Sequence, residues 1–216
     1  MTGWLAETWR GAAGGFHARH LPHGRRLWLV EPTSPALVLG SSQRADEIDA
    51  AGAARLGLEV CTRRTGGGAV WLDPECSLWV DLTIGRDDPL WSDDVPTSGV
   101  WLGKAFSDVL GPFVAGTAEV WSTPYVAHPL ARAMCFAGLA PGEVTVEGRK
   151  AVGISQRRTR DGARFQCVVY RHWEPARFAG AFTDPGVGAA ADDLAVATVD
   201  IDGPGRVERL LSVLNS

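Results

Sequence analysis

The sequence has little lysine, no cysteine pairs at the spacing of metal ligands, and no long apolar run. The last two absences argue against particular classes of protein. Lys104 and Lys150 are the two lysines among 21 basic residues in 216. No apolar run approaches the roughly 20 residues of a membrane span, and MTGWLAETWR lacks the charged start and apolar centre of a signal peptide. The four cysteines show no CxxC spacing, which argues against a zinc site or a disulfide scaffold. We therefore expect a cytoplasmic protein with reduced thiols.

Composition places the chain among ordinary globular proteins. Hydrophobic residues make up 45%, charged residues 21%, and the net charge is −4. This charge gives no reason to expect nucleic acid or a membrane surface as a partner. The length suits one well-cored unit without a visible linker, so we expect residues 1–216 to form a single domain.

Strand-like and helix-like segments alternate along the chain, which predicts an α/β fold with a mixed sheet. Apolar runs bounded by turn residues predict strands at Leu27–Val30, Ala36–Leu39, Leu58–Arg63, Ser77–Ile84, Glu143–Glu147, Lys150–Arg157 and Arg164–Arg171. Apolar spacing predicts helices at residues 44–56 and Val100–Leu110, and a mostly helical C-terminal part that ends with Arg206–Leu214. The segment 122–142 contains three prolines and is expected to be irregular.

A glycine-rich segment is the strongest candidate for chemistry. It consists of Arg63, Arg64, Thr65, Gly66, Gly67, Gly68, Ala69 and Val70. Three consecutive glycines permit positive φ angles and close approach of the backbone to a ligand, and their N–H groups can cradle an anion. Adjacent arginines supply donors suited to phosphate or carboxylate. From composition alone, a flexible hairpin loop beside a solvated basic pair is an equal alternative.

A second segment places Lys150 at the start of a run of small and apolar residues, Glu147–Arg158. A lysine ammonium is a compact charge that can stabilise a phosphate or a developing oxyanion. The alternative is an edge-strand lysine that blocks unwanted strand pairing.

Together, the two segments resemble the lipoate–protein ligase and octanoyl transferase family of the biotin/lipoate ligase superfamily. The family motif Arg-Arg-x-Ser/Thr-Gly-Gly-Gly-Ala-Val is matched at residues 63–70 with one residue fewer before the threonine. The downstream motif Gly-Arg/Lys-Lys-Ile/Val-x-Gly is matched from Gly148 to Gly153, and Gln156-Arg157 follow as in the family. Two such motifs in this order are more specific than either one alone.

The resemblance implies a fold, a reaction and a set of site residues. The fold would be a mixed, largely antiparallel sheet flanked by helices. The chain would use ATP and Mg²⁺ to activate lipoate or octanoate as an acyl-adenylate, and would pass the acyl group to a lysine of a lipoyl-domain protein. Glycine cleavage H protein and the E2 subunit of a 2-oxoacid dehydrogenase are such acceptors. Residues 63–70 and Gly153 would bind the adenylate, and Lys150 would be the catalytic cation.

Two alternatives to ATP-dependent ligation stay open. Some octanoyl transferases of the family use a Cys-Phe cysteine as a thioester-forming nucleophile, and Cys135-Phe136 lies at a similar place shortly before Lys150. The alternative interpretation of Cys135 is a buried cysteine with a structural role only. The chain could also be a relative that binds an acyl group or a partner without catalysis. Glu143 is a candidate for the metal or phosphate side of the site, or a plain surface acid, and the metal ligands stay unassigned.

Several positions depart from the family pattern. Pro74-Glu75-Cys76 replaces a Gly-Asn pair that follows the motif aspartate, and Gln166-Cys167 stands where a His-Gly pair is common. The alternating strand around Cys167 predicts a core cysteine. The length leaves no room for a C-terminal accessory domain, so a separate accessory chain or an acyl carrier protein is a possible partner. His17, His20 and His23 lack companion ligands, and we interpret them as solvated loop histidines.

Overall fold

A seven-stranded mixed sheet forms the centre of the structure, a computed structural model that describes residues 3–200 and 203–216. The strand order is β1-β2-β6-β10-β9-β8-β7, with every pair antiparallel except β1 with β2. The strands are β1 Leu5–Gly11, β2 Arg26–Pro32, β6 Ser77–Gly85, β7 Ala118–Val120, β8 Val144–Val146, β9 Arg149–Arg158 and β10 Gly162–Tyr170. The expected mixed, largely antiparallel sheet is confirmed.

A smaller sheet and several helices flank this centre. The small sheet has the order β4-β3-β5, from β3 Ala36–Leu39, β4 Glu59–Thr62 and β5 Val70–Leu72. The helices are α1 Ala13–Ala18, α2 Ala50–Arg55, α3 Val100–Leu110, α4 Pro185–Ala191 and α5 Gly203–Leu214. Within the described residues, no helix has both the length and the apolar content needed to cross a membrane.

Successive side chains of β6 point into two separate halves of the core. Trp79 faces the half that contains the small sheet and α1, whereas Leu78, Val80 and Leu82 face the half covered by α3 and α5. Successive strand residues point to opposite faces, so a strand covered on both sides must be apolar almost throughout. Every β6 residue except the last is buried, and the one carboxylate in the strand, Asp81, is fully buried.

Two predicted helical segments differ from the observed structure. The segment 44–56 is interrupted because Ile48 is extended and pairs with Phe182 across a β-bridge. Asp49 then caps α2 by accepting a hydrogen bond from the Ala51 N–H. The C-terminal part is less helical than expected: besides α4 and α5, its described residues form short 3₁₀ turns and an extended stretch. In that stretch Ala195 and Ala197 pair with the backbone of Lys150, so tertiary pairing prevails over local propensity.

Candidate functional site

A buried arginine holds the glycine-rich loop from inside. The Arg63 side chain is 3% exposed and donates to the carbonyl oxygens of Val38 at 3.0 Å, Gly66 at 2.8 Å and Gly68 at 2.7 Å. A buried guanidinium needs such acceptors because its charge has lost its water shell. Arg63 therefore shapes the loop between β4 and β5, while its neighbour Arg64 is exposed on the surface.

Close packing joins this loop to the segment that carries Cys135. Gly67 has φ +92°, a conformation that favours glycine. A Cβ on Gly68 would lie 2.5 Å from the Met134 backbone nitrogen. Ala69 donates to the Ala133 carbonyl at 2.7 Å, and the Cys135 N–H donates to the Ala69 carbonyl at 2.9 Å. The glycines thus let two backbone segments pair, which fixes Cys135 beside the loop.

Lys150 forms a buried ion pair with Glu143. Its Nζ lies 2.7 Å from Glu143 Oε1, and the two side chains are 5% and 4% exposed. Nζ also donates to the carbonyl oxygens of Cys135 at 3.2 Å and Gly138 at 2.9 Å. Because an ammonium has three protons, these three acceptors match its full donor capacity.

Both carboxylate oxygens of Glu143 are engaged as well. Oε1 also accepts from the Ile154 N–H at 3.0 Å, and Oε2 accepts from the Ala140 N–H at 2.8 Å. Glu143 therefore positions Lys150 relative to the turn after Cys135, with no oxygen left without a donor. Within the part of the chain that is described, no group of three His, Cys, Asp or Glu side chains is arranged to hold a metal ion.

An open cleft and a narrow apolar cavity meet at Cys135. The cleft encloses about 1550 Å³ of atom-free space and the cavity about 370 Å³, each counted with its open mouth. Cys135 and Ser155 line both spaces, whereas Lys150 lines the cleft. This arrangement can take a ligand with a polar end in the cleft and an apolar tail in the cavity.

The deep wall of the cavity is backed by a buried polar network. Gln166 contacts Thr65 Oγ1 at 3.1 Å, Asp81 Oδ2 at 3.3 Å and His17 Nδ1 at 3.3 Å. Arg164 forms a 2.6 Å ion pair with Asp81. Burial raises the pKa of Asp81, and burial together with Arg164 and Arg63 lowers the pKa of His17 to about 3. His17 is thus uncharged at neutral pH.

The structure brings most of the sequence-predicted residues to these two spaces. Those that line the cleft are Gly66, Gly67, Gly68, Cys135, Glu143 and Lys150. Those that line the cavity are Arg63, Val70, Cys135 and Gly153. Thr65 and Ala69 are buried next to them, Thr65 through a 3.1 Å contact with Ser155 Oγ. The expectation that Cys167 belongs to the core is confirmed, since it is 1% exposed.

Sequence reasoning did not assign His17, Ser155 or Gln166 to a binding cavity, although Gln166 was noted as a departure from the family pattern. The interpretation of His17 as a solvated loop histidine was wrong, because its side chain is 5% exposed and stacks on Trp79. Helix α1 has six residues, too few to show a helical period. Polar residues on alternate positions of β10, Arg164 and Gln166, were the available signal for a polar layer behind that strand.

Comparisons with known proteins agree with this architecture. The sequence profile of the lipoyl protein ligase A/B catalytic domain matches residues 16–188. Among curated protein sequences, none matches significantly. A protein of Thermoplasma acidophilum solved with bound lipoic acid is 17% identical, with a TM-score of 0.72 over 99% of this chain and 84% of its own.

Two further solved structures share the fold. The bi-partite lipoate protein ligase of the T. acidophilum lipoylation system is 14% identical, with a TM-score of 0.70 over 99% of this chain and 82% of its own. A lipoate-protein ligase A bound with ATP is 16% identical, with a TM-score of 0.68 over 99% and 83%. At these identities the structural likeness establishes the fold. The profile match covers most of the chain, and the chain therefore belongs to the lipoyl protein ligase A/B catalytic domain family.

Proposed function

We propose that this protein attaches lipoate or a related medium-chain acyl group to a lysine of a lipoyl-domain protein. The observation that carries the proposal is the position of Lys150. Its ammonium lines the cleft and is fixed by Glu143 and by two carbonyls, one of them that of Cys135, the residue at which the cleft meets the apolar cavity. An acyl group with its tail in the cavity would place its carbonyl at this junction, beside a positive charge that stabilises an oxyanion.

In the first route, the carboxylate of the acid would attack the α-phosphate of ATP, which would form an acyl-adenylate and release pyrophosphate. The Gly66–Gly68 backbone would face the phosphate, and Lys150 would face the phosphate and the acyl carbonyl. Lys150 must exchange one of its present acceptors for the substrate, and the Cys135 carbonyl at 3.2 Å is the most distant of the three. The amine of the acceptor lysine then attacks the acyl carbonyl and releases AMP.

Magnesium would enter this route with the nucleotide. Glu143 is the carboxylate in the described lining of the cleft, and each of its oxygens already accepts hydrogen bonds. Mg²⁺ commonly binds through substrate phosphates and water, with few protein carboxylates. We therefore propose that the phosphates of ATP, and not a protein metal site, hold the ion. Its chemistry would be to neutralise phosphate charge.

A second route through Cys135 is favoured by the position of its sulfur. A Cβ placed on Gly67 would lie 3.5 Å from Cys135 Sγ, and Cys135 lines both the cleft and the cavity. The thiolate would attack the thioester carbonyl of an acyl carrier protein, expel the carrier thiol and form acyl-Cys135. The acceptor lysine amine would then attack that thioester and release the Cys135 thiol.

The acceptor and the compartment complete the proposal. Glycine cleavage H protein and 2-oxoacid dehydrogenase E2 both present a lysine on a lipoyl domain, and either can be tested. All four cysteines are free thiols, which is usual in a reducing compartment, so we place the reaction in the cytoplasm.

One parallel assay separates the routes. The protein is given a lipoyl domain with either ATP, Mg²⁺ and lipoate, or octanoyl-carrier protein without ATP, and acylation is followed by intact-mass spectrometry. Ligation predicts AMP and pyrophosphate in the first arm and full activity of Cys135→Ser. Transfer predicts an octanoyl adduct on Cys135 in the second arm, lost in Cys135→Ser and retained in the control Cys61→Ser. If neither arm modifies the acceptor, the proposed function fails.

A further inference from the structure

Residues 121–126 run beside the turn, residues 138–143, that supplies two of the three acceptors of Lys150. Gly138 supplies its carbonyl oxygen at 2.9 Å from Nζ, and Glu143 supplies its carboxylate at 2.7 Å. An ammonium that is held by several acceptors can keep its place only if those acceptors keep theirs. The position of the ammonium therefore depends on what fixes this turn.

Backbone hydrogen bonds join the two segments at both ends. Val126 and Leu139 exchange a pair of hydrogen bonds, at 2.8 and 3.0 Å. At the other end, the Trp121 N–H donates to the Glu143 carbonyl at 2.8 Å, and the Gly142 N–H donates to the Trp121 carbonyl at 2.8 Å. These four bonds attach the first segment to the turn.

Tyr125 fills the space that a side chain on Gly138 would need. A Cβ on Gly138 would clash with the Tyr125 hydroxyl and would lie 2.9 Å from both Cε2 and Cζ of the ring. The Gly138 backbone is extended, with φ −99° and ψ 160°, a conformation that any residue can adopt. Space, and not backbone conformation, therefore requires glycine at this position. The ring packs against the residue whose carbonyl accepts from Lys150.

Tyr125 is at the same time a residue of the cleft. It is 56% exposed and lines the cleft. The Pro124 carbonyl before it accepts from Trp121 Nε1 at 3.3 Å, and Val126 after it is paired with the turn. An aromatic side chain has two χ angles, so little further ordering is needed once its backbone is fixed. Tyr125 can therefore brace Gly138 while it remains open to the cleft.

We propose that Tyr125 is a positioning residue for Lys150, because its ring holds the Gly138 carbonyl in place against the ammonium. The inference rests on the proposed function, in which Lys150 exchanges one acceptor for the substrate. If the Cys135 carbonyl is the acceptor released, Glu143 and Gly138 must stay where they are. Backbone N–H groups fix the Glu143 carboxylate, and Tyr125 fixes Gly138.

The small number of lysines makes a direct test possible. In protein that carries isotope-labelled lysine, an NMR spectrum that correlates Cε with Nζ contains one peak for Lys150 and one for the exposed Lys104. We expect Tyr125→Ala to speed the exchange of the Lys150 ammonium protons with water by roughly 2- to 10-fold, the range of one net hydrogen bond. Exchange at Lys104 should not change. Unchanged exchange at Lys150 overturns the inference.

Conservative and crowding variants show whether the ring is the cause. Tyr125→Phe keeps the ring and should exchange like the wild type. Gly138→Ala keeps Tyr125 but forces its ring away, so exchange at Lys150 should rise as in Tyr125→Ala. In the double variant the added methyl group has room, and exchange should match that of Tyr125→Ala alone. Additive effects, or wild-type exchange in Gly138→Ala, overturn the inference.

Kinetics connect this brace to the proposed reaction. Tyr125→Ala should lower kcat for acyl transfer by roughly 10- to 100-fold and leave the KM for the acid within about twofold, while Tyr125→Phe keeps the wild-type rate. Phe113→Ala is the control, because Phe113 is an exposed aromatic residue outside the described lining of the cleft. An effect confined to KM, or shared by Tyr125→Phe, overturns the positioning role. The expected exchange pattern in a protein without acyl transfer would refute the proposed function alone.

Discussion

The cleft and the cavity differ in the kind of surface that they offer to a ligand. In the cleft, Lys150 and Glu143 form a buried ion pair whose charges are balanced by each other and by backbone groups. The cavity presents apolar surface, and the polar side chains in its wall, His17, Arg63 and Gln166, are turned to protein partners. The ammonium of Lys150 therefore lies in the space where a carbonyl would react, whereas apolar surface lines the space where a tail would lie.

Under the proposed function, this difference would separate the group that acts on the carbonyl from the surface that contacts the tail. A fixed ammonium stabilises developing charge only if it is held in place before the reaction, which Glu143 and the two carbonyls achieve. The cavity surface is apolar, so it would discriminate between acyl tails by their size and shape. Changes in the cleft should therefore affect rate, and changes in the cavity should affect the choice of substrate.

The largest expected effect comes from Lys150→Arg. The planar guanidinium is too broad for a pocket in which Nζ lies within 3.2 Å of Glu143 and two carbonyls. We expect acyl transfer to fall by about 100-fold or more, nearly as far as in Lys150→Ala. The rate is measured with the acceptor assay, and binding of the acid by titration should change much less.

Lys104→Arg is the matched control for this prediction. Lys104 is exposed on α3, so its replacement should leave the rate within about twofold of wild type, since surface changes of this kind are close to neutral. A Lys150→Arg protein as active as the wild type would show that the cleft does not need a compact ammonium.

An intermediate effect is expected where the glycine loop meets the Cys135 segment. In Gly68→Ala the new Cβ would lie 2.5 Å from the Met134 nitrogen, so the two backbones must separate. We expect the free energy of unfolding to fall by about 1–3 kcal/mol. Gly66→Ala is the control, because its Cβ would meet no described atom within 4 Å. Chemical denaturation that gives equal stabilities for the two variants would contradict the close packing.

The smallest effect is a pH dependence of stability that originates in the cavity. The pKa of His17 is lowered to about 3 in the fold, so the unfolded chain binds a proton near pH 6.5 that the folded protein does not. The neutral His17 therefore does not lower the free energy of unfolding above pH 6.5. As the pH falls from 6.5 toward 3, the free energy of unfolding declines, by about 1–2 kcal/mol at pH 5.

Replacement of His17 checks the sign of this prediction. His17→Phe should lose less stability than the wild type between pH 7.5 and 5, while His20→Phe, altered at an exposed site, should follow the wild type. Denaturation curves at both pH values supply the comparison. Parallel losses in all three proteins would mean that His17 does not remain neutral.

The family, and the residues that line one cleft, could be predicted because the motifs that identify them are runs of consecutive residues. The glycine triplet and the lysine motif each occupy a few consecutive residues, and the resemblance they support is confirmed by the profile match. Helix α3 was predicted at its observed bounds, Val100–Leu110, since its residues show a clear helical period. The break at Ile48 was not predictable, because it depends on pairing with Phe182, which lies far along the chain.

By itself, the sequence determined the residue types that the proposed chemistry would use: flexible glycines, one motif lysine and a cysteine nearby. Only the tertiary structure decided that Glu143 would be the partner of Lys150 and that His17 would be an uncharged part of a cavity wall. The physical reason is that charge state and hydrogen-bond satisfaction depend on burial and on neighbours distant in sequence. The contact between Gln166 and His17, for example, joins residues 149 positions apart.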